Sequence, residues 1–166
     1  MIQNFGGGVY LYTADNALQD PCRLEKAAAE YFAVTGKKKK RIRKTPEGKP
    51  YFEGEGLYLS PSHTGAFYAV AFAPFPIGLD TEPSSAEKKS VAERYFSPLE
   101  RPRPFSLCWT VKEAVSKLTG EGLGAALRTR LSQNAPEATL DGVEYRYMSF
   151  TENGYRITLA RRKRNL

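Results

Sequence analysis

The stretch from Cys108 to Gly120 (CWTVKEAVSKLTG) constrains this chain more than any other. It holds no Pro or Gly before its end and stops at Gly120, which suits a left-handed C-terminal cap. Val111, Ala114, Val115 and Leu118 recur at i, i+3, i+4 and i+7, which predicts a helix with one buried stripe. The opposite side is expected to carry Trp109, Glu113, Ser116 and Lys117. Trp109 and Glu113 are four apart, as are Glu113 and Lys117, so an aromatic ring, a carboxylate and an ammonium project from neighbouring turns. A surface helix with one exposed ion pair has the same pattern, and such pairs are weak. What separates the two readings is Gly78-Leu79-Asp80-Thr81-Glu82 upstream, where two more carboxylates end an apolar run. Two acids at a strand end and a third on a helix suit a divalent cation held through oxygen.

The 166 residues suffice for one domain or for two small halves sharing a core. With 41% hydrophobic and 26% charged residues the composition is that of a soluble globular protein, and no apolar run approaches membrane-spanning length. No charged-then-apolar signal pattern opens the chain, so the cytoplasm is the expected location. Cys22 and Cys108 make neither a disulfide framework nor a metal-binding spacing, and Cys108 is expected to be a small buried residue. The net charge of +7 is local. Lys37–Lys44 holds seven basic residues and Arg161–Arg164 holds four, and without them the rest of the chain is net acidic. Such patches attract polyanions. No aromatic residues interleave the first run and no nucleic-acid-reading motif accompanies it, which argues against nucleic acid as the partner.

Along the chain, Val9–Thr13 reads as a first strand and Leu24–Val34 as an alanine-rich helix ending near Gly36. The basic run is expected as an exposed loop or edge strand, and Pro50 keeps Lys49 extended. Leu57–Ser60 is expected to be a short strand followed by a Pro61–Gly65 loop. Phe67–Phe72 is continuously apolar and reads as a strand buried on both faces. After Pro74-Phe75-Pro76 come a strand over Ile77–Asp80, a helix over Ser85–Tyr95, and a short helix restarted at Phe96–Glu100 with Ser97 as its cap. Beyond Gly124 strands are expected at Arg128–Leu131, Val143–Phe150 and Tyr155–Ala160. The last two form a hairpin across an Asn153-Gly154 turn.

Several segments together resemble the 4′-phosphopantetheinyl transferase superfamily, and in particular its Sfp-like class. A Gly-x-Asp-x-Glu segment stands at Gly78, Asp80 and Glu82. A Trp-x-x-Lys-Glu-x-x-x-Lys helix stands at Trp109, Lys112, Glu113 and Lys117, followed by Gly120-Glu121-Gly122-Leu123. Gly48-Lys49-Pro50, Ser62-His63-Thr64, and Phe96-Ser97 with Glu100 occur in the family's order, so the resemblance covers roughly residues 48–124. One departure is Ser60-Pro61-Ser62-His63, where the family has Asn-x-Ser-His.

The resemblance implies an enzyme that moves the phosphopantetheine arm of coenzyme A onto a serine of an acidic acyl or peptidyl carrier protein, with Mg²⁺, releasing adenosine 3′,5′-bisphosphate. It implies Asp80, Glu82 and Glu113 as metal ligands, Glu113 also as general base, and Lys117 beside the diphosphate. Lys49, Ser62 and His63 would bind coenzyme A; His63, the single histidine, would contact phosphate rather than move a proton. Trp109 would fix the helix, and Lys112 would stand at the edge of the site in a structural ion pair. The family's basic segment before the first long helix is reduced here to Arg23, and the Lys37–Lys44 run is a candidate source of charge for the 3′-phosphate. The implied fold is α+β: two related halves, each a long helix on a small antiparallel sheet, in a pseudo-twofold arrangement. Residues 1–74 would form the coenzyme A side and 75–166 the metal and catalytic side, with the site in the cleft, in a monomer. Two other readings stay open at this point. One is a non-catalytic relative that binds coenzyme A or a carrier protein. The other is a basic nucleic-acid-binding protein.

Overall fold

The computed structural model describes residues 1–16 and 20–163, so Arg164 of the C-terminal basic run lies outside the described residues. The chain divides into two compact units, Met1–Ile77 and Gly78–Leu166. Every strand pairing in both is antiparallel, and the architecture is mixed α/β.

The first unit contains β1 (Ile2–Asn4), β2 (Tyr10–Ala14), α1 (Arg23–Thr35), β3 (Ile42–Lys44), β4 (Pro50–Phe52), β5 (Tyr58–Thr64) and β6 (Phe67–Ala73). Its main sheet has the order β1-β2-β6-β5, and β3 and β4 form a separate ribbon. All seven residues of β6 are buried, as its unbroken apolar run requires of a central strand. Helix α1 buries Ala27, Ala28, Tyr31 and Phe32, and this stripe meets Phe52, Leu59, Tyr68, Val70 and Phe72. Tyr31 stacks on Phe72 at 4.7 Å between ring centroids. The helix stops at Gly36, whose φ of 65° is the left-handed cap and whose N–H closes onto Phe32 O. Strand β5 runs straight through Pro61 to Thr64, where a loop was expected. Being the last strand of its sheet, it tolerates a residue with no N–H on its outer edge.

The second unit contains β7 (Gly78–Pro83), α2 (Lys89–Tyr95), α3 (Phe105–Thr119), α4 (Leu123–Arg128), β8 (Arg130–Leu131), β9 (Glu137–Leu140), β10 (Val143–Glu152) and β11 (Tyr155–Arg162). The sheet order is β7-β11-β10-β9-β8. The expected hairpin is present, with Asn153 at φ 50° and Gly154 at φ 80° in its turn. Helix α3 covers the sheet; Cys108, Val111, Ala114 and Val115 join Ala138, Leu140, Tyr145 and Ala160 in one core.

Several expectations are corrected here. α3 begins three residues before Cys108, directly after Pro104. Within it Leu118 is only partly buried, whereas Ser116, assigned to the outer side, is buried and donates its hydroxyl to Gly122 O at 2.6 Å. α2 starts at Lys89 rather than Ser85, because Ser84 is held to the hairpin turn: its N–H and its hydroxyl both donate to Gly154 O at 2.8 Å. Phe96–Glu100 forms a turn, not a helix. The short helix α4 and strand β9 escape a periodicity reading, since each offers only two buried residues, Ala125 with Ala126 and Ala138 with Leu140. Among the described residues no helix is long and apolar enough to cross a membrane.

Candidate active site

The second unit brings four of the expected residues together. Asp80 and Glu82 are two apart on β7 and so share a face of the sheet. Glu113 and Lys117 are four apart on α3 and share a face of the helix. Gly78 explains how closely the two elements approach. A Cβ at this position would overlap the Ala114 carbonyl oxygen and lie 3.0 Å from Leu118 Cβ, so only glycine lets the strand touch the helix backbone.

Asp80 is 6% exposed, and its Oδ1 accepts a hydrogen bond from Lys117 Nζ at 2.8 Å. Glu82 and Glu113 are half-buried. Burial pushes the Glu113 carboxyl above its ordinary range, the Asp80 charge pushes the same way, and Lys117 opposes both. Glu82 is likewise raised, first by burial, with Asp80 adding to it and Lys88 and Lys117 opposing. Three carboxylates therefore feel one another's charge, with Lys117 and Lys88 as the local cations. Lys88, in the loop before α2, was not anticipated, and no spacing signal marks it.

Among the described residues no three His, Cys, Asp or Glu side chains form a preformed metal cage. The donor chemistry nonetheless fits Mg²⁺. All the donors are oxygens, and this ion is commonly bound by one or two carboxylates with water and substrate phosphate completing its shell. The raised carboxyls fit as well, because burial and, to a lesser degree, neighbouring carboxylates disfavour their charged forms, and a cation among them offsets both.

In the first unit the expected nucleotide residues are placed less uniformly. Lys49 lies at the head of β4; its side chain is largely exposed, yet partial desolvation of its ammonium lowers its pKa. Ser62 is buried and His63 exposed, on successive positions of β5, so their side chains point to opposite faces. His63 sits across from Tyr68 on β6. The Arg23 guanidinium lies 5.3 Å from the centre of the Tyr68 ring, and burial pushes the Tyr68 hydroxyl up to about 12.

Lys112 is not at the edge of anything. It is fully buried and paired with Glu100 at 3.0 Å, so its ion pair is structural, as expected, but internal. The buried role of Glu100 was missed. The Ser97-x-x-Glu100 spacing of a capping box was its available signal, and Ser97 N–H does donate to Glu100 Oε2 at 2.8 Å.

Fold and site thus define a mixed α/β protein with a strand-and-helix carboxylate cluster flanked by lysines. A family model described as the 4′-phosphopantetheinyl transferase superfamily matches residues 76–160, just over half of the chain. The chain belongs to that superfamily. It is also similar to the 4′-phosphopantetheinyl transferase psf-1 of Bacillus pumilus, with 32% identity over 108 residues, covering 56% of this chain and 46% of that protein. The chain therefore spans about half the length of the curated relative it matches.

Proposed function

We propose that this protein transfers the 4′-phosphopantetheine arm of coenzyme A to a serine of an acidic acyl or peptidyl carrier protein, releasing adenosine 3′,5′-bisphosphate, in the manner of the Sfp-like class. The observation that carries the reading is the cluster of Asp80, Glu82 and Glu113 in one another's field beside Lys117, inside the segment the family model matches. If Mg²⁺ binds, carboxylates of this cluster would hold it, and it would supply charge neutralisation for the diphosphate.

The chain's own groups do the rest. Glu113 has a basicity raised by burial and accepts the proton of the carrier serine hydroxyl. The serine oxygen then bonds to the phosphorus of the pantetheine phosphate as the bond to the nucleotide phosphate oxygen breaks. Lys117, bound to Asp80 in the free protein, turns its ammonium to the departing phosphate. For coenzyme A itself, Lys49 and His63 offer phosphate contacts, with Ser62 contributing through its strand backbone rather than its buried hydroxyl. Arg23 lies beside the cross-strand partner of His63 and so offers positive charge near that histidine, with the Lys37–Lys44 run as a second candidate for the 3′-phosphate. We read the two units as related halves, since each lays one long helix, ended by a left-handed glycine, on an antiparallel sheet. The protein acts as a cytoplasmic monomer in this reading.

The deciding experiment is intact-mass measurement of apo carrier proteins incubated with this chain, coenzyme A and Mg²⁺. A gain of about 340 Da on the carrier, lost without metal and lost in Glu113→Gln, is the expected result. No gain across several acidic carriers would overturn the assignment.

A further inference from the structure

Helix α3 carries both Glu113 and Lys117, so whatever fixes its rotation about its own axis fixes where those groups point. Successive residues of a helix are about 100° apart, and Lys112 immediately precedes Glu113. The direction of one side chain thereby dictates that of the other.

Lys112 is bound from several elements at once. Its Nζ donates to Glu100 Oε1 at 3.0 Å and to the Thr129 carbonyl, and lies 5.4 Å from the centre of the Phe96 ring. Glu100, also fully buried, accepts the Leu131 N–H on Oε1 and the Ser97 N–H on Oε2, both at 2.8 Å. The pair therefore ties α3 to the turn after α2 and to the junction of α4 with β8. Burying two charges is a poor way to gain stability, because apolar side chains of similar volume do as well or better. What apolar side chains do not supply is direction. Four hydrogen bonds converge here, and three of them end on backbone groups, of Ser97 before α3 and of Thr129 and Leu131 after it.

We infer that the Glu100–Lys112 pair is a positioning device for the reaction proposed above, on which the inference rests. It sets the rotation of α3 and so the aim of Glu113 and Lys117 toward Asp80 and Glu82.

The test compares the wild-type chain with Lys112→Met and with the double variant Glu100→Gln/Lys112→Met. Trp109, the single tryptophan, stacks on Phe105 at 5.9 Å within α3, so its near-ultraviolet circular dichroism reports the helix independently of turnover. Lys112→Met strands a buried carboxylate and lowers the melting temperature. The double variant restores it to within about 3 °C of wild type. In that stable double variant kcat falls at least about tenfold, KM for coenzyme A stays within about twofold, and the Trp109 signal changes. A stable double variant with wild-type kcat, or with an effect confined to KM, overturns the inference. If the wild-type chain transfers nothing to any carrier, the proposed function has failed. The Trp109 signal then decides the positioning role alone: altered in the double variant it supports the role, unchanged it refutes it. Should the double variant not fold, Glu100→Gln alone is read in the same way, since it retains size and a carbonyl acceptor.

Discussion

Gly78 and Ala114 meet backbone to backbone: the space where Gly78 would carry a Cβ is filled by the Ala114 carbonyl oxygen, with the carbonyl carbon 2.9 Å away. Backbone cannot swing aside as a flexible side chain can, so Gly78→Ala forces β7 and α3 apart. Overpacking of this kind costs about 1–3 kcal/mol. Urea unfolding of Gly78→Ala should show that loss, accompanied by a fall in transfer activity, because the strand with Asp80 and Glu82 moves away from the helix with Glu113. An unchanged midpoint would mean the contact is looser than described.

The Lys117–Asp80 pair sets an ammonium against a nearly buried carboxylate, at 2.8 Å. In the metal-free protein, Lys117→Met should lower stability by about 1–3 kcal/mol, the usual consequence of leaving a buried acceptor short of a donor. Adding Mg²⁺ should return a larger part of the lost stability to the variant than it adds to wild type, since the cation no longer competes with the ammonium. Thermal melts with and without Mg²⁺ check both halves. Equal shifts in the two proteins would argue that the metal does not engage Asp80.

The two cysteines should differ sharply in reactivity. Cys22 is exposed; Cys108 is buried, and burial, followed by the nearby Glu100 charge, pushes its thiol up to about 11. A raised pKa means that the reactive thiolate is scarce at pH 8, and burial blocks the reagent as well. Titration with a thiol-specific chromogenic disulfide should therefore count one thiol per native chain and two in denaturant. Two fast native thiols would contradict the packing of α3.

How legible this was from sequence differs by element. α1, β6, the central stretch of α3 and the β10–β11 hairpin each announce themselves: an alanine-rich amphipathic run, an unbroken apolar run, a 3.6-residue stripe and an Asn-Gly turn. The residues that gather at the carboxylate cluster were named through motif spacing. Geometry added what spacing cannot encode. Ser116 and Lys112 are polar residues that bury because partners on distant segments, Gly122, Glu100 and Thr129, satisfy them. Pro61 reads as a strand breaker unless its strand is known to be an edge. Ser62 and His63, adjacent in sequence, part to opposite faces only once their loop is recognised as strand β5.

The Glu100–Lys112 pair also predicts a pH dependence. Burial by itself would raise the Glu100 carboxyl, but the N–H groups of Leu131 and Ser97 and the Lys112 charge outweigh it and hold the carboxyl below its ordinary value. A carboxyl with a depressed native pKa binds fewer protons in the folded than in the unfolded state. Its contribution to stability is complete above the ordinary glutamate range, near 4.5, and drains away as pH falls through the lower native value. Urea midpoints measured from pH 6 to pH 3 should accordingly fall more steeply for wild type than for Glu100→Gln/Lys112→Met, which has no carboxyl to titrate at this position. Parallel profiles would show that Glu100 is protonated together with the unfolded chain and that its buried hydrogen bonds contribute no acid sensitivity.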